Sequence, residues 1–156
     1  WKLMRQKKKG EKENMQVQLQ LLEVELISFT IEKKQYEKER ELTSLVDHRP
    51  IISGGHSINQ NFIEFTINVE ICKNGNICSI TTFSRFVVFF EDKNFNMLEN
   101  IKNENVADIL ANLGVIANAH LMGIFRIKSS KTDFDEYIIP VRSHTEMKSM
   151  FIDYHY

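Results

Sequence analysis

The chain has 156 residues, of which 42% are hydrophobic and 26% charged, and a formal net charge of −1. That length supports one domain with a core of its own, and no run of about 18 apolar residues is present to span a membrane. Residues 1–14 carry six Lys or Arg against two Glu, a net of +4, so the remainder is acidic at −5; such a body lacks the cations that nucleic-acid binding needs.

The basic head is followed by no apolar stretch of the kind a secretion signal requires, so it reads as a disordered tail over 1–14, ahead of a single domain over 15–156. Two cysteines and no secretion signal point to a reducing cytoplasm. Residues 15–31 alternate: Met15, Val17, Leu19 and Leu21 share a face. The phase then shifts at Leu22 and again at Ile27, which predicts one long strand with bulges or a strong twist. Residues 32–58 combine a charged run, KKQYEKEREL, with a turn-like RPIISGGHSIN, and are expected to be loop with a short or irregular strand.

Residues 61–72 alternate without interruption, and Asn74-Gly75 is the preferred pair for a type I′ hairpin turn, in which both central residues need positive φ. That turn sets Lys73 opposite Asn76. One face then pairs Ile71 with Cys78, Val69 with Ile80, Phe65 with Ser84 and Ile63 with Phe86, and should meet the core. The other pairs Glu70 with Ser79, Asn68 with Thr81 and Glu64 with Arg85. This outer face also carries Phe62, Phe83, Val87 and Phe89, an apolar cluster open to a partner if the helices cover only the core face.

A helix is predicted from about Glu104 to Phe125, with Val106, Ile109, Leu110, Leu113, Ile116, Ala117 and Leu121 as its apolar stripe. Gly114 sits inside it at a cost of about 1 kcal/mol relative to Ala, which implies close packing against a sheet or a symmetry-related helix. Tyr137 to Val141 is extended, as Pro140 requires of its predecessor. Ser143 and Glu146 match a capping box, and Met147, Met150, Phe151 and Tyr154 follow at helical spacing. Beside the extended segment this short helix can wall a groove, since methionine adapts its shape to varied apolar ligands.

Catalytic chemistry finds no foothold. His48, His56, His120, His144 and His155 are scattered without metal-ligand spacing. Cys72 and Cys78 fall on opposite sides of the hairpin and read as free thiols. Gly54-Gly55-His56 lacks the lysine and spacing of a phosphate loop, and Ser53, Ser57 and Ser84 have no evident base. No catalytic residue, metal or cofactor is expected, which leaves a binding protein, with an adaptor domain that binds one folded partner as one reading.

In order of elements, the chain resembles the SecB-type protein-export chaperones, particularly their divergent SecB-like relatives. The resemblance is carried by MQVQLQLLEVELISFTIEK, the hairpin NFIEFTINVEICKNGNICSITTFSRFVVFFE, the helix NVADILANLGVIANAHLMGIF and the segment EYIIPVRSHTEMKSMFIDY. It implies an α+β fold, a four-stranded antiparallel sheet with two helices on one face, in dimers or tetramers. It further implies an ATP-independent holdase that binds unfolded polypeptide in apolar grooves. Met122 stands where relatives often carry Arg, and Arg85-Phe86 where they often carry Gly-x-Phe. The sequence ends at Tyr156 without an acidic polar tail of the kind that docks on the translocase motor. That departure puts hand-off to the motor in doubt, and the expected clients are exported proteins or a dedicated client such as an antitoxin. Phe125, Ile127, Ile138, Ile139, Met147, Met150 and Phe151 are the expected groove residues, with Phe62, Phe83, Val87 and Phe89 as a second surface.

Overall fold

The computed structural model describes residues 2–3, 17–33 and 43–154. In chain order they form β1 (Lys2–Leu3), β2 (Val17–Lys33), β3 (Ser44–Ser57), β4 (Gln60–Lys73), β5 (Asn76–Phe90), a 3-10 turn (Leu98–Asn100), α1 (Glu104–Lys128) and α2 (His144–Tyr154). The strands make one antiparallel sheet in the order β1-β2-β5-β4-β3. It consists of four long strands, with the two-residue β1 added beside Val17 and Gln18. Both helices pack on one face, the α+β architecture expected. The tail expected over 1–14 lies outside the described residues except for Lys2 and Leu3, as do Met15 and residues 34–42.

The β4–β5 hairpin follows from its turn. Asn74 has φ 52° and Gly75 φ 78°, and the pairs Lys73↔Asn76, Ile71↔Cys78, Val69↔Ile80, Phe65↔Ser84 and Ile63↔Phe86 run without a break. Ile63, Phe65, Ile67, Val69 and Ile71 are all fully buried. On the outer face Asn68 Oδ1 accepts from Thr81 Oγ1 at 2.9 Å and Ser79 Oγ at 3.3 Å. There Arg85 bridges Glu64 at 3.4 Å and Glu23 at 3.7 Å. Cys72 stands opposite Ile77, not Cys78, and both thiols are free and buried. Burial pushes the Cys78 thiol up to about 11, away from the reactive thiolate.

Strand β2 pairs with β5 and slips register between Leu21 and Glu23 and between Leu26 and Ser28. These are the two places where its hydrophobic alternation changes phase. Strand β3 corrects the expectation of a short or irregular piece: it runs 14 residues against β4, with one bulge between Leu45 and Asp47. Its turn-like residues are tolerated because it is an edge strand. Pro50 there needs no outward N–H partner. Gly54 has no room for a side chain, because a Cβ would run into the Phe62 carbonyl oxygen.

Helix α1 begins at Asn103, whose Oδ1 accepts from Asn105 N at 2.9 Å and Val106 N at 3.4 Å. It runs one turn beyond Phe125, to Lys128. By length and composition this helix could also cross a membrane, but Val106, Ile109, Leu110, Leu113, Ala117, Leu121 and Phe125 are packed into the sheet–helix core. Asn61, buried at the start of β4, receives Met97 N and donates to Phe95 O, both at 2.8 Å, and so ties the β5–α1 connection to the sheet.

Gly114 is explained by neither a sheet surface nor a second α1. A Cβ there would lie 2.6 Å from Met147 Cγ and 2.8 Å from Phe151 Cζ, so the glycine is the seat of α2. The capping box expected of α2 is formed. Glu146 N donates to Ser143 Oγ at 3.1 Å, and hydrogen bonds from Ser143 and Arg142 hold the Glu146 carboxyl below its ordinary range. Replacing Gly114 with Val gains a few tenths of a kcal/mol of helix propensity but overpacks the seat, so a net loss of about 1–2 kcal/mol is expected. The midpoint of urea unfolding measures it, and an unchanged midpoint would show that α2 is not seated there.

Candidate functional site

After α1 the chain turns at Ser129–Asp135 and runs back along the helix as an extended link and then α2. Tyr137 meets Phe125 edge-on at 6.4 Å. Two turns towards the start of α1, Asn118 Nδ2 donates to Pro140 O at 3.3 Å. Further along, Met147 and Phe151 cover Gly114, and Lys148 Nζ reaches Asp108 Oδ1 at 2.8 Å. Pinned in this way, the link turns Ile139 inward, at 1% exposure, and Ile138 and Val141 outward, at 68% and 70%. Ile127, on the last turn of α1, is 75% exposed.

The link is also joined to the sheet edge. His48 on β3 donates from Nε2 to Asn118 Oδ1 at 2.6 Å, and its Nδ1 accepts from Arg142 Nε at 3.1 Å. Arg142 Nη1 in turn donates to Glu146 Oε2 at 3.3 Å. Burial chiefly, with the nearby Arg142 charge, keeps the His48 pKa below that of an ordinary histidine.

The expected groove residues divide. Phe125, Ile139, Met147 and Phe151 are core, each at most 2% exposed. Phe151 lies 5.7 Å from the Phe65 ring and Phe125 6.5 Å from Phe29. The expectation that these four present a surface is corrected: the apolar stripe of a short helix faces whatever it packs on, here Gly114 and Phe65. Met150 is half-buried against the same core, and the Tyr154 side chain lies outside the described residues. Ile127 and Ile138 are exposed. On the outer sheet face Phe62, Phe83 and Phe89 are half-buried, and Arg85 sits over the Phe83 ring at 5.5 Å. Val87 is buried, a second correction: it stands between Phe62 on β4 and Gln20 on β2, both longer side chains.

Other apolar surface was not singled out by sequence reasoning. Val141 continues the outward row of Ile138 past Pro140. On β2, Leu21, Leu22, Val24, Ile27 and Ile31 are all exposed. Beside them an open cleft of ≈ 350 Å³ is lined by Leu19, Gln20, Leu21, Phe86, Leu113 and Ile116. One turn beyond Ile116, His120 has a buried Nδ1 without a hydrogen-bond partner among the described residues, and burial lowers its pKa. The phase shifts of β2 were the available signal, because each bulge turns a leucine or isoleucine out of the alternation. Among the described residues no group of three or more His, Cys, Asp or Glu could hold a metal ion.

No protein-family model matches the chain, and no curated protein sequence does. Solved structures do. The chain is similar in fold to the SecB-like chaperone of Mycobacterium tuberculosis, solved in complex with a ChAD peptide from an antitoxin, with a TM-score of 0.52 and 10% sequence identity. The likeness covers 80% of this chain and 91% of that one. At that identity it establishes a shared SecB-like fold.

The division of the site residues is measurable. Phe151→Ser should cost about 3–5 kcal/mol, as other large core truncations do, whereas Ile138→Ser should cost under about 0.5 kcal/mol. Equal effects on the urea midpoint would contradict the burial described here.

Proposed function

We propose that this chain is a binding protein of the holdase type, which captures extended, non-native polypeptide on apolar side chains beside α1 and uses no nucleotide. The observation that carries the reading is the outward row on the link. Ile138 and Val141 are presented to solvent by a segment whose backbone and inward side chain are pinned to α1, so the exposure is built in. A large apolar side chain contributes roughly 1.5–3 kcal/mol on burial, most of which is offset by ordering a flexible client. Several such contacts, Ile127 and Met150 among them, are therefore required, and the half-buried Phe62, Phe83 and Phe89 supply a second surface. The antitoxin peptide held by the mycobacterial chaperone supports polypeptide as the ligand class. The proposed setting is the cytoplasm, with either an exported protein passed to the translocase motor or a dedicated client such as an antitoxin.

Exposed β2 favours a homo-oligomer. From Leu19 onward the strand is an edge among the described residues, and it carries five exposed large apolar residues next to an apolar cleft. Unpaired edges template further pairing, so a second copy is the proposed cover. Val24→Lys with Ile27→Lys should shift the protein to monomer in sedimentation velocity at tens of micromolar. A parent protein that is itself monomeric there would refute the interface.

The triple variant Ile127→Ser, Ile138→Ser, Val141→Ser tests the client surface. It should keep the parent's urea midpoint within about 1 kcal/mol of stability and hold several unrelated denatured proteins at least about tenfold more weakly in aggregation assays, the factor that 1.4 kcal/mol represents. Undiminished holding would place clients elsewhere. Activity towards a single folded partner alone would favour an adaptor.

A further inference from the structure

His48 joins the β3 edge that carries it to two elements already pinned to each other: α1, through Asn118, and the link, through Arg142. Its partners select one neutral form of the ring. Asn118 Oδ1 can only accept, so the Nε2 that faces it at 2.6 Å carries the hydrogen. Nδ1 is then a bare acceptor, and Arg142 Nε–H fills it at 3.1 Å. A proton taken from solvent by Nδ1 would set two N–H donors, both on cations, against each other. Arg142 has somewhere to go, because Glu146 Oε2 already lies 3.3 Å from its Nη1.

We propose that His48 is a proton-operated latch, in which protonation of Nδ1 expels the Arg142 side chain and releases the Arg142–Ser143 end of the link, with the start of α2, from β3. Asn118 still holds Pro140, and Ile139 stays buried, so the release is local. The remaining groups around the ring are few. Asp47 precedes it on β3 and Glu146 faces it from α2, both favouring the proton, while burial and Arg142 oppose it. Val69, opposite on β4, is apolar.

The direction in pH follows. The folded chain favours neutral His48, so the latch is closed above the ordinary histidine pKa of about 6.5 and its contribution is lost as pH falls below that value. Val141 and Ile138 border the released segment. On the holdase reading, which this consequence depends on, acidification therefore alters client holding.

Amide hydrogen exchange on the full chain between pH 7.5 and 5.0, corrected for intrinsic rates, tests the latch without any client. Protection over 141–147 should fall by roughly tenfold in step with the NMR titration of His48, the scale of one charge-assisted hydrogen bond. His48→Gln, which keeps a donor and an acceptor but does not titrate, should remove the step. Arg142→Leu should give low protection at both pH values and raise the His48 midpoint. His120→Asn should leave the step in place, because His120 is not part of the network. A step that survives in His48→Gln, or a His48 that titrates with no change in protection, would overturn the proposal. Holding of a denatured protein is then measured at both pH values. A change that His48→Gln removes supports the coupling to clients. Constant holding beside a clear exchange step would sever that coupling and leave the latch standing.

Discussion

Positive φ at Asn74 and Gly75 decides which side of this protein is wet. The type I′ turn pairs Lys73 with Asn76, and every later pair in the hairpin inherits that register. A slip of one residue would turn Ile63, Phe65, Ile67, Val69 and Ile71 to solvent and bring Glu64 and Glu70 under the helices. Because β5 also pairs with β2 and β4 with β3, the two outer strands take their facing from the same turn. The helices then settle on the continuous apolar face, and the polar ladder of Asn68, Thr81, Glu64 and Arg85 is left outside.

The exposed apolar surfaces follow from the widths of the parts. Four strands spaced about 4.8 Å apart set β2 and β3 roughly 14 Å from each other, while a helix with its side chains is about 10–12 Å across. One helix cannot roof that sheet. The link and α2 complete the cover on the β3 side, where Arg142 and Asn118 are joined through His48. Nothing equivalent among the described residues lies over β2, and Leu21, Val24 and Ile31 stay exposed there. The surfaces assigned to clients and to a second copy are thus the two margins of one incomplete roof.

Much of this was legible in the residues. The hairpin register, the helix from about Glu104, the Ser143–Glu146 cap and the two phase shifts of β2 each depend on local chemistry or local periodicity. Strand β3 was not legible, because Pro50 and Gly54 are turn signals everywhere except on an edge, and only the finished sheet makes β3 an edge. The candidate site divided for a related reason. A stripe such as Met147, Met150 and Phe151 shows that a helix has an apolar face, but not whether another element already covers it. Gly114 held the missing half of that information, as the place where Met147 and Phe151 sit. The exposed β2 row went unnoticed as surface because alternation predicts burial wherever a roof is assumed.

The strand order has a consequence for the protein's own synthesis. β2 is made before β5, yet among the described residues β5 is its only long partner, and the paired residues lie 43 apart at one end, Lys33 and Asn76, and 73 apart at the other, Val17 and Phe90. At translation rates of roughly 5–20 residues per second, β2 waits about 2–15 seconds for that partner to be polymerised. During that interval its leucines and isoleucines have neither a sheet to join nor a helix to shelter them. On the ribosome, the nascent chain is thus itself an unfolded polypeptide with an unpaired apolar strand.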